Sequence, residues 1–217
     1  MRPPGRTRMT DSTFDRASHW NHRYETVPHH QLSWHTSRPT MSLRLVDLAG
    51  ATTATSFVDA GAGASTLVDE LVARDMTDLT VVDVSDVALD IVRCRLEDPA
   101  RVTWTVADVT HWAPDRQWDI WHDRALFHFM NRDEHIVTYR NLVARSVVPG
   151  GHAIVATFGP DGPLTCSGLP IVRYSFEELA AVFRDSFELV ESLPESHITP
   201  TGRSQSYSWA LLRRRDD

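Results

Sequence analysis

The 217-residue sequence contains no lysine; all 22 of its basic side chains are arginine. A protein Schiff base, pyridoxal-phosphate anchorage, a P-loop and a protein-kinase site each need that amine, so all four are excluded together. Cysteine is scarce as well. Cys94 and Cys166 are the only two, and their separation suits neither a zinc ribbon nor a dithiol redox motif, which predicts reduced thiols in a cytoplasmic protein. No apolar run approaches the roughly 20 residues needed to span a bilayer, so no membrane association is expected. Arg2, Arg6 and Arg8 are followed by no hydrophobic stretch, so the N-terminal segment does not read as a secretory signal. Eleven histidines are present, but without an HExxH or Cys/His grid they predict no metal. The net charge of −7 argues against a broad phosphate-binding face and against nucleic acid as a partner.

What remains has the size and composition of one globular domain. Its charge is uneven: residues 1–50 carry 7 arginines against 4 acids, and residues 51–217 carry 15 against 25. Residues 1–18, with Pro3, Pro4 and Gly5, read as a disordered tail, and residues 19–217 as a single domain. That domain begins with an arm, 19–50, in which aromatics and histidines cluster: His19, Trp20, His22, Tyr24, His29, His30 and Trp34.

Beyond the arm, strand and helix patterns alternate. Strands are expected at Ser56–Ala60, Leu79–Val82, Val102–Val106, Trp118–Trp121, His152–Thr157, Phe187–Leu193 and Ser206–Leu212. Helices are expected at Ser65–Ala73 and Asp86–Leu96, from Asn131 to about Ser146 with Glu134 completing a capping box, and after Ser175, capped with Glu178. Strands separated by such helices imply right-handed crossovers. The fold predicted is a Rossmann-like three-layer α/β/α sandwich with a seven-stranded, mostly parallel sheet and a C-terminal antiparallel strand.

The chemistry concentrates at Val58-Asp59-Ala60-Gly61-Ala62-Gly63-Ala64-Ser65. A strand enters this turn and a helix leaves it, the context of a nucleotide-type loop, and Gly61 and Gly63 allow close backbone approach. A dinucleotide site would have a third glycine where this chain has Thr66, and Asp59 would repel a pyrophosphate while suiting an ammonium group. Asp83, at the next strand tip, fits a ribose diol. Asp108, at the third, fits an adenine amine. The competing reading is that Asp83 and Asp108 act only as caps, at Ser85–Asp86 and Thr110 respectively. A ligand with an ammonium group, a ribose diol and adenine but no phosphate is S-adenosylmethionine.

On Asp59-Ala-Gly61-Ala-Gly63, Asp83, Ala107-Asp108 and Pro149-Gly150-Gly151, the chain resembles the class I S-adenosylmethionine-dependent methyltransferases over roughly residues 19–212. Trp20-Asn-His-Arg23-Tyr24, Trp34 and Trp121-His-Asp123-Arg124-Ala-Leu126 look like the arm and the strand-tip turn of the thiopurine methyltransferase-like and elongation-factor lysine methyltransferase-like branch. Ala125 stands where that branch usually has glycine. The resemblance implies that Asp59, Gly61 and Gly63 meet the methionine end of the cofactor, Asp83 the ribose and Asp108 the adenine. It further implies methyl transfer to N, S or O of a small molecule, or to a protein lysine. A non-catalytic cofactor-binding protein and an NAD-dependent oxidoreductase are the readings from other classes.

Trp20, Tyr24 and Trp34 could close over a cationic cofactor, with Arg23 pairing to its carboxylate, or could simply pack on the sheet edge. At the fourth strand tip, Asp123 or His128 could act as base, or form structural contacts with Arg124 and the flanking phenylalanines. The long loop after the fifth strand offers Arg173 and Tyr174, with Arg124, as acceptor contacts.

Overall fold

Apolar strands joined by one-sided helices can bury both sheet faces only if helices cover each of them. The computed structural model describes residues 14–216. The predicted tail falls largely outside that range. Within it, Asp15 accepts from the Ser18 amide and caps α1 (Arg16–Thr26), so residues 16–18 form a helical turn rather than tail. The arm continues into α2 (Thr40–Leu48), a helix not anticipated from the sequence, which buries Leu43, Leu45 and Val46.

The alternating part comes next as β1 (Ser56–Ala60), α3 (Leu67–Ala73), β2 (Asp78–Asp83), α4 (Asp86–Arg95), β3 (Val102–Val106), β4 (Trp118–Arg124), α5 (Asp133–Ser146) and β5 (Val147–Phe158). A short hairpin, β6 (Thr165–Cys166) and β7 (Leu169–Pro170), interrupts the long loop, and α6 (Phe176–Phe183), β8 (Phe187–Ile198) and β9 (Ser204–Arg214) complete the fold. The seven-stranded sheet runs β3-β2-β1-β4-β5-β9-β8. Strands β1 to β5 pair in parallel, and β9 is antiparallel to both neighbours.

Successive strand residues face opposite sides, so Phe57, Ile120 and Ile154 pack with α2, α3 and α4, while Val58, Trp121 and Val155 pack with α5 and α6. A smaller cluster of Tyr24, Leu32, Ala64 and Ala88 fastens the arm to the turn after β1 and to α4.

Two local expectations are corrected. The N-cap of α5 is Arg132, without a side-chain cap; Asn131 instead turns its amide to the Pro170 carbonyl, at 3.4 Å. Pro149-Gly150-Gly151 does not precede the fifth strand but lies inside it. Gly150, at φ +76°, absorbs an irregularity opposite Trp118–Ile120 in the pairing with β4. The Ser175–Glu178 capping box is present at α6. No helix among the described residues is long and apolar enough to cross a membrane.

Strand order reverses between β1 and β4, so the chain leaves these adjacent strands towards opposite faces and a crevice opens at their carboxyl ends.

Candidate cofactor and acceptor site

The turn after β1 forms one wall of that crevice. Gly61 and Gly63 have φ of +67° and +54°, a region that side-chain-bearing residues enter only with strain. Both also face close neighbours. A Cβ on Gly61 would lie 2.7 Å from that of Leu126, and one on Gly63 would strike the Tyr24 hydroxyl. The Gly61 and Ala62 amides donate to the Val82 carbonyl, tying the turn to β2.

Asp83 ends β2 with its carboxylate turned towards this loop. It accepts from the Gly63 amide at 2.7 Å and from the Ser85 amide at 2.8 Å. Burial raises its pKa to about 6, reinforced by the charge of Asp59 and opposed by the amide bonds. Ser85 in turn caps α4 through the Ala88 amide. At the tip of β3, Asp108 takes the Thr110 amide and hydroxyl on one oxygen and Arg16 of α1 on the other, at 3.1 Å. Burial pushes its pKa up, but those bonds and the Arg16 charge outweigh it and hold the group below its ordinary value. Both acids thus make the local contacts of the capping alternative while lying at the strand tips that border the crevice.

Asp59 is buried at the end of β1 and bonded to His122 Nδ1 at 2.7 Å; His122 Nε2 meets the Ser42 hydroxyl at 3.0 Å. This chain of contacts from β1 through β4 to α2 is not foreshadowed in the sequence. His122 is visible there beside Asp123, but nothing signals a helix carrying Ser42.

The arm lies across the turn. Trp20 stands edge-on to Trp34 and Phe129, with centroids 5.8 and 5.3 Å apart, and Tyr24 is edge-on to Trp34. Burial, then the nearby Asp83 charge, raises the Tyr24 phenol, which therefore stays protonated. Arg23 has a buried Nε with no hydrogen-bond partner among the described residues.

Asp123, His128 and Tyr174 lie inside the fold. Asp123 is fully buried, accepting the Leu126 amide at 2.9 Å, the Phe127 amide at 3.0 Å and the Tyr139 hydroxyl. It braces the turn after β4 instead of facing the crevice, and burial raises its pKa to about 7 against those bonds. His128 is equally buried, its ring 4.5 Å from Phe129 and 4.8 Å from Phe158. Burial, then the charge of Arg124, lowers its pKa to about 3, so the imidazole stays neutral where it packs between the two rings. Tyr174 stacks on Phe127 in the core, and Arg173 donates to the Gly162 carbonyl, fixing the loop. Tyr174 is buried, whereas Arg173 is exposed.

Arg124 does face open space. It borders a cavity of about 420 Å³, together with His35, Ser42, Glu195, His197 and Trp209. The cavity lies beside the glycine turn: Leu126, two residues after Arg124, packs on Gly61, and Ser42 reaches Asp59 through one imidazole.

Residues 57–151 match the methyltransferase domain family. Among solved structures, an S-adenosylmethionine-dependent methyltransferase from Anabaena variabilis superposes with a TM-score of 0.70 at 14% identity, covering 92% of this chain and 93% of that one. The N-methyltransferase NodS from Bradyrhizobium japonicum gives 0.67 at 17% identity, covering 81% and 93%. The 1,6-didemethyltoxoflavin-N1-methyltransferase of Burkholderia thailandensis, solved with 1,6-didemethyltoxoflavin and S-adenosylhomocysteine, gives 0.67 at 20%, covering 82% and 78%. No curated protein matches the chain. The chain thus shares the fold of these S-adenosylmethionine-dependent methyltransferases and carries a methyltransferase-domain match over residues 57–151.

Proposed function

We propose that this protein transfers a methyl group from S-adenosylmethionine to a nucleophilic atom of a small-molecule acceptor. The observation that carries the reading is the convergence of Asp59, Asp83 and Asp108, on the tips of three adjacent strands, around a turn whose two glycines have no room for side chains. That set fits a phosphate-free adenosyl cation: the acids supply negative charge and hydrogen-bond acceptors, and the chain has no lysine for a polyphosphate.

The bound cofactor supplies a methyl group already activated on a sulfonium. The protein's part is therefore alignment and exclusion of water. Gly61 and Gly63 let the backbone approach, and Asp59, oriented by His122, offers its charge to the ammonium. Asp83 accepts from the ribose hydroxyls and Asp108 from the adenine amine, the latter exchanging Arg16 for it. Arg23, whose Nε has no hydrogen-bond partner among the described residues, receives the carboxylate. Trp20, Tyr24 and Trp34 roof the turn with aromatic surface suited to a cation. The relatives in this fold include N-methyltransferases of small molecules, which supports an acceptor of that size.

Isothermal titration calorimetry with S-adenosylmethionine, S-adenosylhomocysteine and NAD tests the reading. Binding of the first two and not the third is expected; NAD binding alone would overturn it.

A further inference from the structure

Arg124 is a partly buried cation whose carboxylate partner is missing. Its Nη1 donates to the Trp34 carbonyl at 2.8 Å, and its guanidinium lies 5.0 Å above the Tyr207 ring. Its Nη2 is buried with no hydrogen-bond partner among the described residues. A carbonyl and a ring face do not neutralise a guanidinium withdrawn from water. The acid on the cavity wall does not do so either, because Glu195 takes the Trp209 indole N–H at 2.7 Å and forms no ion pair with Arg124 among the described residues.

His197, from the end of β8, supplies the complementary group. Its Nε2 lies 2.8 Å from the Ser33 carbonyl. A carbonyl only accepts, so the proton sits on Nε2 and Nδ1 carries a lone pair. No described residue donates to Nδ1. Burial, then the Arg124 charge, lowers the pKa of this imidazole, which keeps that lone pair available at neutral pH. The same wall thus presents a cation and a neutral proton acceptor.

We propose that the 420 Å³ cavity holds the methyl acceptor, a small carboxylic acid bearing an N–H or O–H nucleophile, with Arg124 binding the carboxylate and His197 Nδ1 taking the proton. The N–H or O–H bond breaks heterolytically: the proton joins the Nδ1 lone pair, giving an imidazolium that still donates to Ser33. The electron pair stays on the acceptor atom as nucleophile. The assignment rests on the methyltransferase reading and names its substrate class. The cavity's volume falls within the range of small-molecule sites.

The test is calorimetry on the full chain saturated with S-adenosylhomocysteine, using hydroxybenzoates and pyrrole- and indole-carboxylates, each beside its neutral amide. At least one carboxylate is expected to bind about tenfold or more tightly than its amide. Arg124→Gln should erase that preference and Arg124→Lys should restore part of it, with circular dichroism and S-adenosylhomocysteine affinity close to the parent. For the carboxylate that binds, His197→Asn should retain binding within about fivefold and slow single-turnover methylation by about 100-fold or more. Amides binding as well as acids, no carboxylate binding, or a preference surviving in Arg124→Gln overturns the proposal. So does a His197→Asn variant that methylates at the parent rate. Loss of S-adenosylhomocysteine binding in the parent protein would instead remove the methyltransferase reading, and this proposal with it.

Discussion

Gly61 combines a left-handed backbone with a neighbour, Leu126, that a Cβ would meet at 2.7 Å. Substituting Gly61→Val therefore adds about 1–3 kcal/mol of backbone strain and fills the face that a cofactor would approach. The expected outcome is a folded protein, by circular dichroism, with no calorimetric binding of S-adenosylmethionine. Ala125 shows the converse. It sits at φ +72°, at the position where the branch it resembles usually has glycine. Relief of about 1–2 kcal/mol of left-handed strain exceeds the 0.4–1 kcal/mol or so that glycine's looser unfolded chain costs. Ala125→Gly should thus raise stability by about 0.5–1 kcal/mol in urea denaturation. Changing Asp83 to alanine should weaken cofactor binding by about 1.5–3 kcal/mol. Because the Asp83 pKa is raised to about 6, acidification through that value protonates it and removes a charged acceptor. Affinity of the parent protein should therefore fall below pH ~6, a step absent from Asp83→Ala.

At the scale of elements, the β1–turn–α3 unit is legible in the sequence because an apolar strand, two glycines and a one-sided helix announce one another within 20 or so residues. Helix α2 is not. It is short, comes directly after Pro39, mixes threonine, serine, arginine and aspartate, and owes its burial to the sheet beneath it. The β4 tip is misleading for a related reason. His122, Asp123 and His128 are all polar letters near one strand end, and only the folded chain shows that His122 reaches Asp59 while Asp123 and His128 turn into the core. The arm is legible as aromatic, but its attachment is not, since Arg16 lies in the predicted tail. Tyr24 and Leu32 belong to the small third cluster and not to either main core. A chain lacking residues 1–34 should accordingly remain folded with a reduced melting temperature, yet bind S-adenosylmethionine far more weakly; failure to fold would show the arm to be structural.

Across the whole molecule, the two cores lie on opposite faces of one sheet and the polar residues gather at its carboxyl edge. Asp123 is one of the exceptions, an ionisable group sunk into the fold beside the second core. Its folded-state pKa, about 7, exceeds the ordinary carboxylate value, so the folded chain holds this proton more tightly than the unfolded chain does. Its contribution to stability is fully present below the unfolded value near 4 and is lost as pH rises through about 7. Asp123→Asn cannot lose a proton there, so the melting temperature of the parent minus that of the variant should decline between pH 4 and 7.

The position of β9 has a consequence for how the chain is made. It is the last of the seven strands to leave the ribosome, yet it pairs between β5 and β8. Until it is synthesised, those two strands present open edges to solvent or to chaperones, so sheet closure is completed after translation of the rest. A stop codon within Ser204–Arg214 would split the sheet in its interior, not trim its margin.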